Sequence, residues 1–357
     1  MRILVDALIM KREQAGLRSV ALNLTRALAS LPDAEVLVVA ARGAAGEWGD
    51  AEVSHVSVGA NGPLRRWLWR KSSRARMARD FGADAILTLS PEYSKTPGIP
   101  NIVMVHDLGP LLAPGLYGRV RFLRYLMTLS RTARLADAVI TVSSSTRLDL
   151  LRWCGLSIAE KTFAVPIAGQ LLGGEPERPA GLPRNVDDFV LYVGAHLSHK
   201  NVSSVLQAFE KGLVPKGTRF VCVGPDYGGE RAAELAKYRN SGWLIDLGFV
   251  TVGQLAWLNA HANQVVFPSL FEGFGMPVVE AVAAGGRVVA TRLGVLQESV
   301  GDGIQYVTDP LSPEAWGRAL SAEPRKGKQI PLNPRLFSWE AVAEEMLEVL
   351  HVTAGRS

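Results

Sequence analysis

The chain has 357 residues, 48% hydrophobic and 20% charged, with 35 glycines and 20 prolines; that is a globular composition too long for one comfortable core, so two domains are expected. Its two cysteines, Cys154 and Cys222, lie far apart, which argues against a disulfide scaffold or a zinc site and fits a reducing compartment, and no run of about 18 apolar residues marks a transmembrane helix. The net charge of +5 is uneven: residues 1–170 carry 22 Lys+Arg against 14 Asp+Glu, and residues 171–357 carry 17 against 20, so an anionic partner is expected for the first half alone.

The opening MRILVDALIM reads as a first β-strand rather than a secretory leader, because it is short, runs straight into Lys11 and Arg12 and lacks a small-residue cleavage site. Further apolar runs at 36–39, 85–89, 102–105 and 138–142 read as strands, with helical spacing at 20–31 and 123–135. Segment 166–185 is rich in Gly and Pro and has no periodicity. It places a linker over 169–187, between a first domain 1–168 and a second 188–337. Strand-like runs resume at 190–193, 220–223, 244–247, 265–267 and 288–290, separated by helical patterns at 202–213, 254–262 and 277–284. The last helix, 339–350, has Ser338 as its N-cap, and the segment 338–357 could pack back on the first domain. Continuous apolar strands alternating with amphipathic helices predict an α/β protein. Its two Rossmann-like, doubly wound domains should face a central cleft.

In the first half, Gly16 precedes a helix and would let a ligand approach the backbone, with Arg18 in reach of a phosphate. His106 follows the strand 102–105 and precedes Asp107. It reads either as a structural histidine or as a ligand-facing one. Seven basic and no acidic residues lie between Arg65 and Arg79, including Arg65, Arg66, Arg70 and Lys71, interleaved with Trp67 and Trp69. Five arginines and no acid lie between Arg119 and Arg134. Cationic amphipathic helices with tryptophan suit an anionic membrane surface. Nucleic acid and plain solvated arginine faces are the other readings, and no nucleic-acid motif favours the former.

In the second half, Lys200 follows a buried strand and stands just before a helix, where a cation would stabilise negative charge developing on a leaving group; a solvated loop lysine is the plain alternative. The segment FPSLFEGFGMPVVE, 267–280, places Glu272 and Glu280 eight positions apart around a glycine-bracketed turn and a proline. That order reads as strand end, tight loop and helix start, with loop amides and the helix dipole turned to a phosphate. Two acids there are either helix-start carboxylates or acceptors for neutral hydroxyls of a ribose and a sugar.

EGFGMPVVEA followed by AAGGRVVAT resembles the E-x7-E signature of the GT4-type retaining glycosyltransferases of the GT-B fold. LYVGAHLSHKNVSSVLQAF, MVHDLGPLLAP, ADAVITVSSSTRLDL, GVLQESVGDGIQYVTDP and FSWEAVAEEM resemble other pieces of that family in the family's order. The resemblance implies transfer of a hexosyl unit, mannosyl first, from a GDP- or UDP-linked sugar to a lipid-linked glycan, with no metal and no cofactor. The cationic, tryptophan-bearing segments of the first half add the expectation that this takes place at the cytosolic face of a membrane. Glu272 would approach the donor sugar, and Lys200 would neutralise the diphosphate. The loop Gly273, Phe274, Gly275 and Met276 would hold sugar and phosphate oxygens through its amides. Glu280 would accept from the ribose, and His106 would bond a donor-sugar hydroxyl from the other domain. Relatives commonly carry an arginine beside this lysine, where here His199 stands and position 195 is alanine. That departure keeps two alternatives open: an epimerase or soluble-acceptor transferase on the same fold, and a weakened sugar-nucleotide-binding or assembly protein.

Overall fold

The computed structural model describes residues 1–10, 15–42, 44–48, 53–60, 62–225, 230–322 and 332–355; Lys11 and Arg12 lie outside them. The chain divides into two compact units, Met1–Ala168 with Ser338–Ser357, and Gly169–Phe337.

The first unit is built on a seven-stranded sheet: β1 (Arg2–Asp6), β2 (Glu35–Ala41), β3 (Ser54–Val58), β4 (Ala85–Thr88), β5 (Asn101–Val105), β6 (Ala138–Thr141) and β7 (Thr162–Ala164), in the order β3-β2-β1-β4-β5-β6-β7. Every pairing is parallel. The central strands are apolar between their ends because helices cover both faces of a parallel sheet: Ile3, Leu4, Val5, Ile102, Val103, Met104 and Val105 are all 0% exposed. The helices Ala15–Ser30 and Trp339–Ala354 pack together. The second of these begins at Ser338, whose side chain accepts the Ala341 amide at 3.0 Å. It buries Val342, Met346 and Leu350, a stripe at four-residue spacing, and each such side chain contributes about 1.5–3 kcal/mol.

The second unit holds a six-stranded parallel sheet: β8 (Phe189–Val193), β9 (Arg219–Val223), β10 (Leu244–Gly248), β11 (Gln264–Phe267), β12 (Val288–Thr291) and β13 (Gln305–Val307), in the order β10-β9-β8-β11-β12-β13. Its core packs the helix Val202–Glu210 and Trp316 of the helix Pro313–Ser321 onto Tyr192, Phe220 and Val266. Residues 169–187, expected as a linker, contain no helix or strand. They belong to this unit, and Leu182 and Val186 are buried there.

Both sheets are doubly wound and Rossmann-like, as the strand–helix alternation predicts. The strands not anticipated are β3, β7 and β13, and all three are sheet edges. Among the described residues no helix is long and apolar enough to cross a membrane.

Candidate active site

At the carboxyl end of β8 the chain passes very close to its neighbour. Gly194 has φ 151° and its amide donates to the Val223 carbonyl at 2.8 Å. A Cβ on Gly224 would lie 2.4 Å from the Gly194 carbonyl oxygen, so the crossing needs glycine there. The following loop is tied down at each step. Tyr192 donates its hydroxyl to the Ala195 carbonyl (2.7 Å), and buried His196 meets Glu234 through Nδ1 (2.9 Å) and packs edge-on against Tyr192.

A short 3₁₀ turn, Ser198–Lys200, then leads into Asn201, which has φ 51°. Asparagine tolerates this left-handed conformation better than most residues. Its amide nitrogen donates to the carbonyls of Pro268 (3.2 Å) and Pro310 (2.7 Å), and its Oδ1 accepts from Ser204 (2.7 Å). One buried side chain thus joins the loops that follow β8, β11 and β13. The Leu270 amide donates to the His199 carbonyl at 2.8 Å and completes the tie.

Those ties set Lys200 against Glu272. Lys200 Nζ lies 2.7 Å from Glu272 Oε1, with side chains 24% and 17% exposed. Burial alone would lift the Glu272 carboxyl. The charge and hydrogen bond of Lys200, a hydrogen bond from Ser269 and the charge of His199 outweigh it and hold Glu272 below its ordinary value. Glu272 is therefore an ionised acceptor at neutral pH, with a cation already beside it.

Four residues on, the helix Met276–Ala283 begins. Gly275 is its cap at φ 89°, and an added Cβ would meet Leu296 Cδ2 at 2.4 Å. Val278 and Val279 donate to the Gly275 carbonyl (2.9 and 3.4 Å), so the amides of Gly275 and Met276 stand ahead of the helical ladder. Phe274 is buried, and Gly273 links this turn to Glu272. Glu280 sits in the second turn of that helix. Burial lifts its carboxyl, only partly offset by the Gln170 amide that donates to Oε1 at 3.0 Å. The site groups Lys200, His199, Glu272, the 273–276 loop and Glu280 therefore all lie in the second unit at the carboxyl side of its sheet, where doubly wound folds take ligands.

His106, Gly16 and Arg18 lie in the first unit. The His106 Nε2 is 3.2 Å from the Leu89 carbonyl, and burial pushes the ring down to about 4, with that bond partly opposing. The ring is neutral at pH 7. Nε2–H donates to Leu89, which leaves Nδ1 as an acceptor. Gly16 and Arg18 belong to the helix Ala15–Ser30 rather than to a turn before it. Arg18, expected in reach of a phosphate, bonds Glu47 Oε2 through Nε and Nη2 at 2.9 and 2.5 Å.

The basic segment also needs correction. Arg66 and Arg70, expected on a membrane-facing surface, are 6% and 5% exposed and turn inward to Asp6 and Glu92. Trp69 packs partly buried against the core around Leu4 and Ile86. Paired acids at strand ends pull these guanidiniums in, and a charge count along the sequence cannot show that. Arg65, Trp67 and Lys71 remain exposed, and Leu64 and Leu68 join them as exposed apolar side chains.

Asn201, Ser269 and Gln170 were not singled out from the sequence. An asparagine directly before a helix carries a readable left-handed signal; Ser269 and Gln170 carry none. Among the described residues no three His, Cys, Asp or Glu side chains gather as a possible metal site.

Residues 175–322 match the family model for glycosyl transferases group 1, and residues 15–166 match that for glycosyltransferase family 4. The chain is 27% identical over 227 residues to O-antigen chain mannosyltransferase B of Escherichia coli, covering 60% of this chain and 58% of that one. It is 30% identical over 249 residues to the MMP alpha-(1->4)-mannosyltransferase of Mycolicibacterium hassiacum, covering 66% and 59%. The chain thus spans under three fifths of those relatives' own length. In fold it is similar to sucrose-phosphate synthase from Thermosynechococcus elongatus (TM-score 0.76, 21% identity, all of both chains). It is also similar to Anabaena HepE in complex with UDP and glucose (TM-score 0.68, 18% identity, 100% and 99% covered). These last likenesses speak to the fold alone.

Proposed function

Because the chain belongs to the GT4-type glycosyltransferases of the GT-B fold, we propose that it is a retaining hexosyltransferase. It takes a sugar, mannose first, from a nucleoside diphosphate and passes it to a lipid-linked glycan. The observation that carries this reading is the Lys200–Glu272 pair beside the amides of Gly275 and Met276.

The chemistry follows from charge. The acceptor hydroxyl oxygen forms a bond to the anomeric carbon as the bond from that carbon to the diphosphate oxygen breaks. The leaving diphosphate gains negative charge, and Lys200 with the helix-start amides stabilises it more in the transition state than in the ground state. Glu272, kept ionised, accepts hydroxyls of the donor sugar. Glu280 accepts from the ribose. Neutral His106 offers Nδ1 to a sugar hydroxyl. The hydroxyl proton passes to a phosphate oxygen on the leaving-group face, which is how retention is understood in the family, so no metal and no protein nucleophile is required.

Substrate class follows from the relatives, whose names include O-antigen chain mannosyltransferases, and from the exposed Leu64, Trp67, Leu68, Arg65 and Lys71. Apolar and cationic side chains together suit an anionic bilayer surface. On this reading the protein works peripherally, on the cytosolic side.

The test is transfer of labelled sugar from GDP-mannose, and from a panel of UDP- and GDP-sugars, to lipid-linked glycan extracted from membranes. Product formation that vanishes in Glu272→Ala and Lys200→Ala supports the proposal. Tight nucleotide binding without turnover on any acceptor would instead make the chain a sugar-nucleotide-binding protein.

A further inference from the structure

The buried arginines of the first unit have no part in the transfer chemistry above. Arg66, Arg70 and Arg74 follow at four-residue intervals on the helices Pro63–Ser72 and Arg74–Phe81, and are 6%, 5% and 0% exposed. Two carboxylates meet them. Asp6, fully buried, holds Arg70 through two bonds of 2.6 and 3.1 Å and stands 3.9 Å from Arg74. Glu92 takes the third nitrogen of Arg70, Nη1, on Oε2 and Nη2 of Arg124 on Oε1 at 3.1 Å. The remaining partners of Arg74 are neutral: Thr88, Thr96, Asn101 and the Ser94 carbonyl.

Four guanidiniums therefore share two carboxylates. Asp107, the other acid acting on the neighbouring Tyr125, accepts the Gly109 amide. Arg66 is the least satisfied of the four. Its closest acid oxygen, Glu92 Oε2, is 3.9 Å away and already bonded to Arg70. Its Nε is buried and has no hydrogen-bond partner among the described residues. Burial draws the Arg66 guanidinium below its ordinary value, with Glu92 only partly restoring it. A buried guanidinium nitrogen left without a hydrogen bond is costly to keep.

The location is informative too. Asp6 ends β1, Glu92 follows β4 and His106 follows β5, so the cluster stands at the carboxyl side of the sheet, where this fold takes ligands. Arg124 is 43% exposed, which leaves one side open. Leu64, Trp67 and Leu68, exposed on the helix that carries Arg66, set apolar surface on the same element as this weakly paired charge.

We propose that Arg66 and Arg124 bind the phosphate of the acceptor, the phosphodiester or diphosphate through which a glycan is joined to its lipid. The planar guanidinium fork matches phosphate oxygens, and Glu92 orients both side chains without neutralising them. The identity of the anion as acceptor rests on the transferase reading; the existence of the anion site does not.

Equilibrium dialysis of the full chain against inorganic pyrophosphate tests the site, in a Lys200→Ala background that removes the donor-side cation. Arg66→Gln should weaken binding at least about tenfold. Arg124→Gln, altering a half-exposed residue, should also weaken it. Arg121→Gln, exposed on the same helix as Arg124, should stay within about twofold. Equal binding by Arg66→Gln, Arg124→Gln and the parent overturns the proposal. Melting gives a second readout: Arg66→Met should raise Tm if the charge is kept for a ligand, and a lowered Tm makes Arg66 a structural residue and counts against it. Vesicles separate the sources. Arg66→Gln should lose recruitment to phosphatidylcholine vesicles containing polyprenyl phosphate and keep recruitment to phosphatidylglycerol vesicles. The reverse pattern assigns the site to bilayer headgroups and overturns the acceptor assignment. Pyrophosphate binding that depends on Arg66, in a protein that never transfers sugar to lipid-linked glycan, leaves the anion site standing and removes the transferase reading.

Discussion

Lys200 and Glu272 are 72 residues apart in the chain and 2.7 Å apart in the structure. The cation proposed for the diphosphate is bonded to the carboxylate proposed for the sugar. Against the lift of burial, Lys200 helps hold the partly buried Glu272 carboxyl below its ordinary value. Donor binding can then redistribute a charge pair without having to create one.

Breaking that pair should have opposite consequences for function and for stability when partners are removed singly or together. Lys200→Ala leaves Glu272 without its cation, and burial then lifts the carboxyl. We expect a loss of about 1–3 kcal/mol in urea unfolding, below the value for a fully buried pair. The double variant Lys200→Ala/Glu272→Gln should recover most of it, because no charge is left stranded. Sugar transfer should fall at least about 100-fold in either single variant and stay down in the double. A double variant that regains transfer would remove both residues from the chemistry.

The second-unit loops show how far a sequence can be read. Lys200, Glu272 and Glu280 were legible because strand ends, a glycine turn and a helix start place them before any coordinates exist. Nine of the ten anticipated strands were legible because burial on both faces writes a continuous apolar run; the tenth, β10, is an edge whose Leu244, Ile245 and Leu247 still mark it. β3, Ser-His-Val-Ser-Val, was not legible, because an edge strand half open to solvent has no such run; β7 and β13 are edges of only three residues each. The inward turn of Arg66 and Arg70 was illegible for a different reason. Their partners Asp6 and Glu92 are distant in sequence, and only the parallel order of β1 beside β4 sets both acids under one helix.

Gly275 offers a test of the helix-start amides apart from any charge. Gly275→Ala demands a left-handed backbone at φ 89° and drives a Cβ to 2.4 Å from Leu296 Cδ2. The cost should be about 1–3 kcal/mol of stability, read as a lower midpoint in chemical denaturation. The amides of Gly275 and Met276 shift with it, so affinity for the preferred nucleoside diphosphate should fall by about tenfold in calorimetry. Gly285→Ala provides the control. It is also left-handed, at φ 81°, but nothing lies near its Cβ and it is remote from the loop. It should lose stability and keep nucleotide affinity.

His106 predicts a pH dependence with a definite sign. Its folded value is pushed to about 4 from an ordinary 6.5. As pH falls below about 6.5 the unfolded chain takes up a proton that the folded chain refuses, so stability drops with falling pH. The loss develops between roughly 6.5 and 4 and is complete below that. His106→Gln should flatten this part of the curve of unfolding free energy against pH. If the ring acts on sugar as a neutral acceptor, transfer above pH 5 should show no ionisation that disappears in this variant. A limb near pH 6.5 that vanishes with His106 would mean that the ring titrates as an exposed histidine.

The last prediction separates the two faces of the basic helix. Leu64, Trp67 and Leu68 are 68%, 52% and 48% exposed, while Arg66 and Arg70 on the other side are engaged below the surface. The helix Arg119–Leu135 adds Val120, Leu123 and Met127 at 84%, 51% and 69% exposed. It is joined to the first helix through Glu92, which Arg70 and Arg124 share. If this surface rests on a bilayer, its apolar residues do the anchoring and its outward cations choose the lipid. Trp67→Ser with Leu68→Ser should reduce partition onto phosphatidylglycerol vesicles at least about tenfold, since each side chain contributes on the order of 1.5 kcal/mol when buried. Arg65→Gln with Lys71→Gln should leave residual binding that no longer distinguishes phosphatidylglycerol from phosphatidylcholine, at about 1 kcal/mol per charge removed. Arg70→Gln should leave partition unchanged in the protein that remains folded and instead lower its stability, because Asp6 is stranded. Vesicle sedimentation of the four proteins side by side decides it. Binding that follows Arg70 rather than Trp67 would show that the buried network, and not the apolar stripe, governs the encounter with lipid.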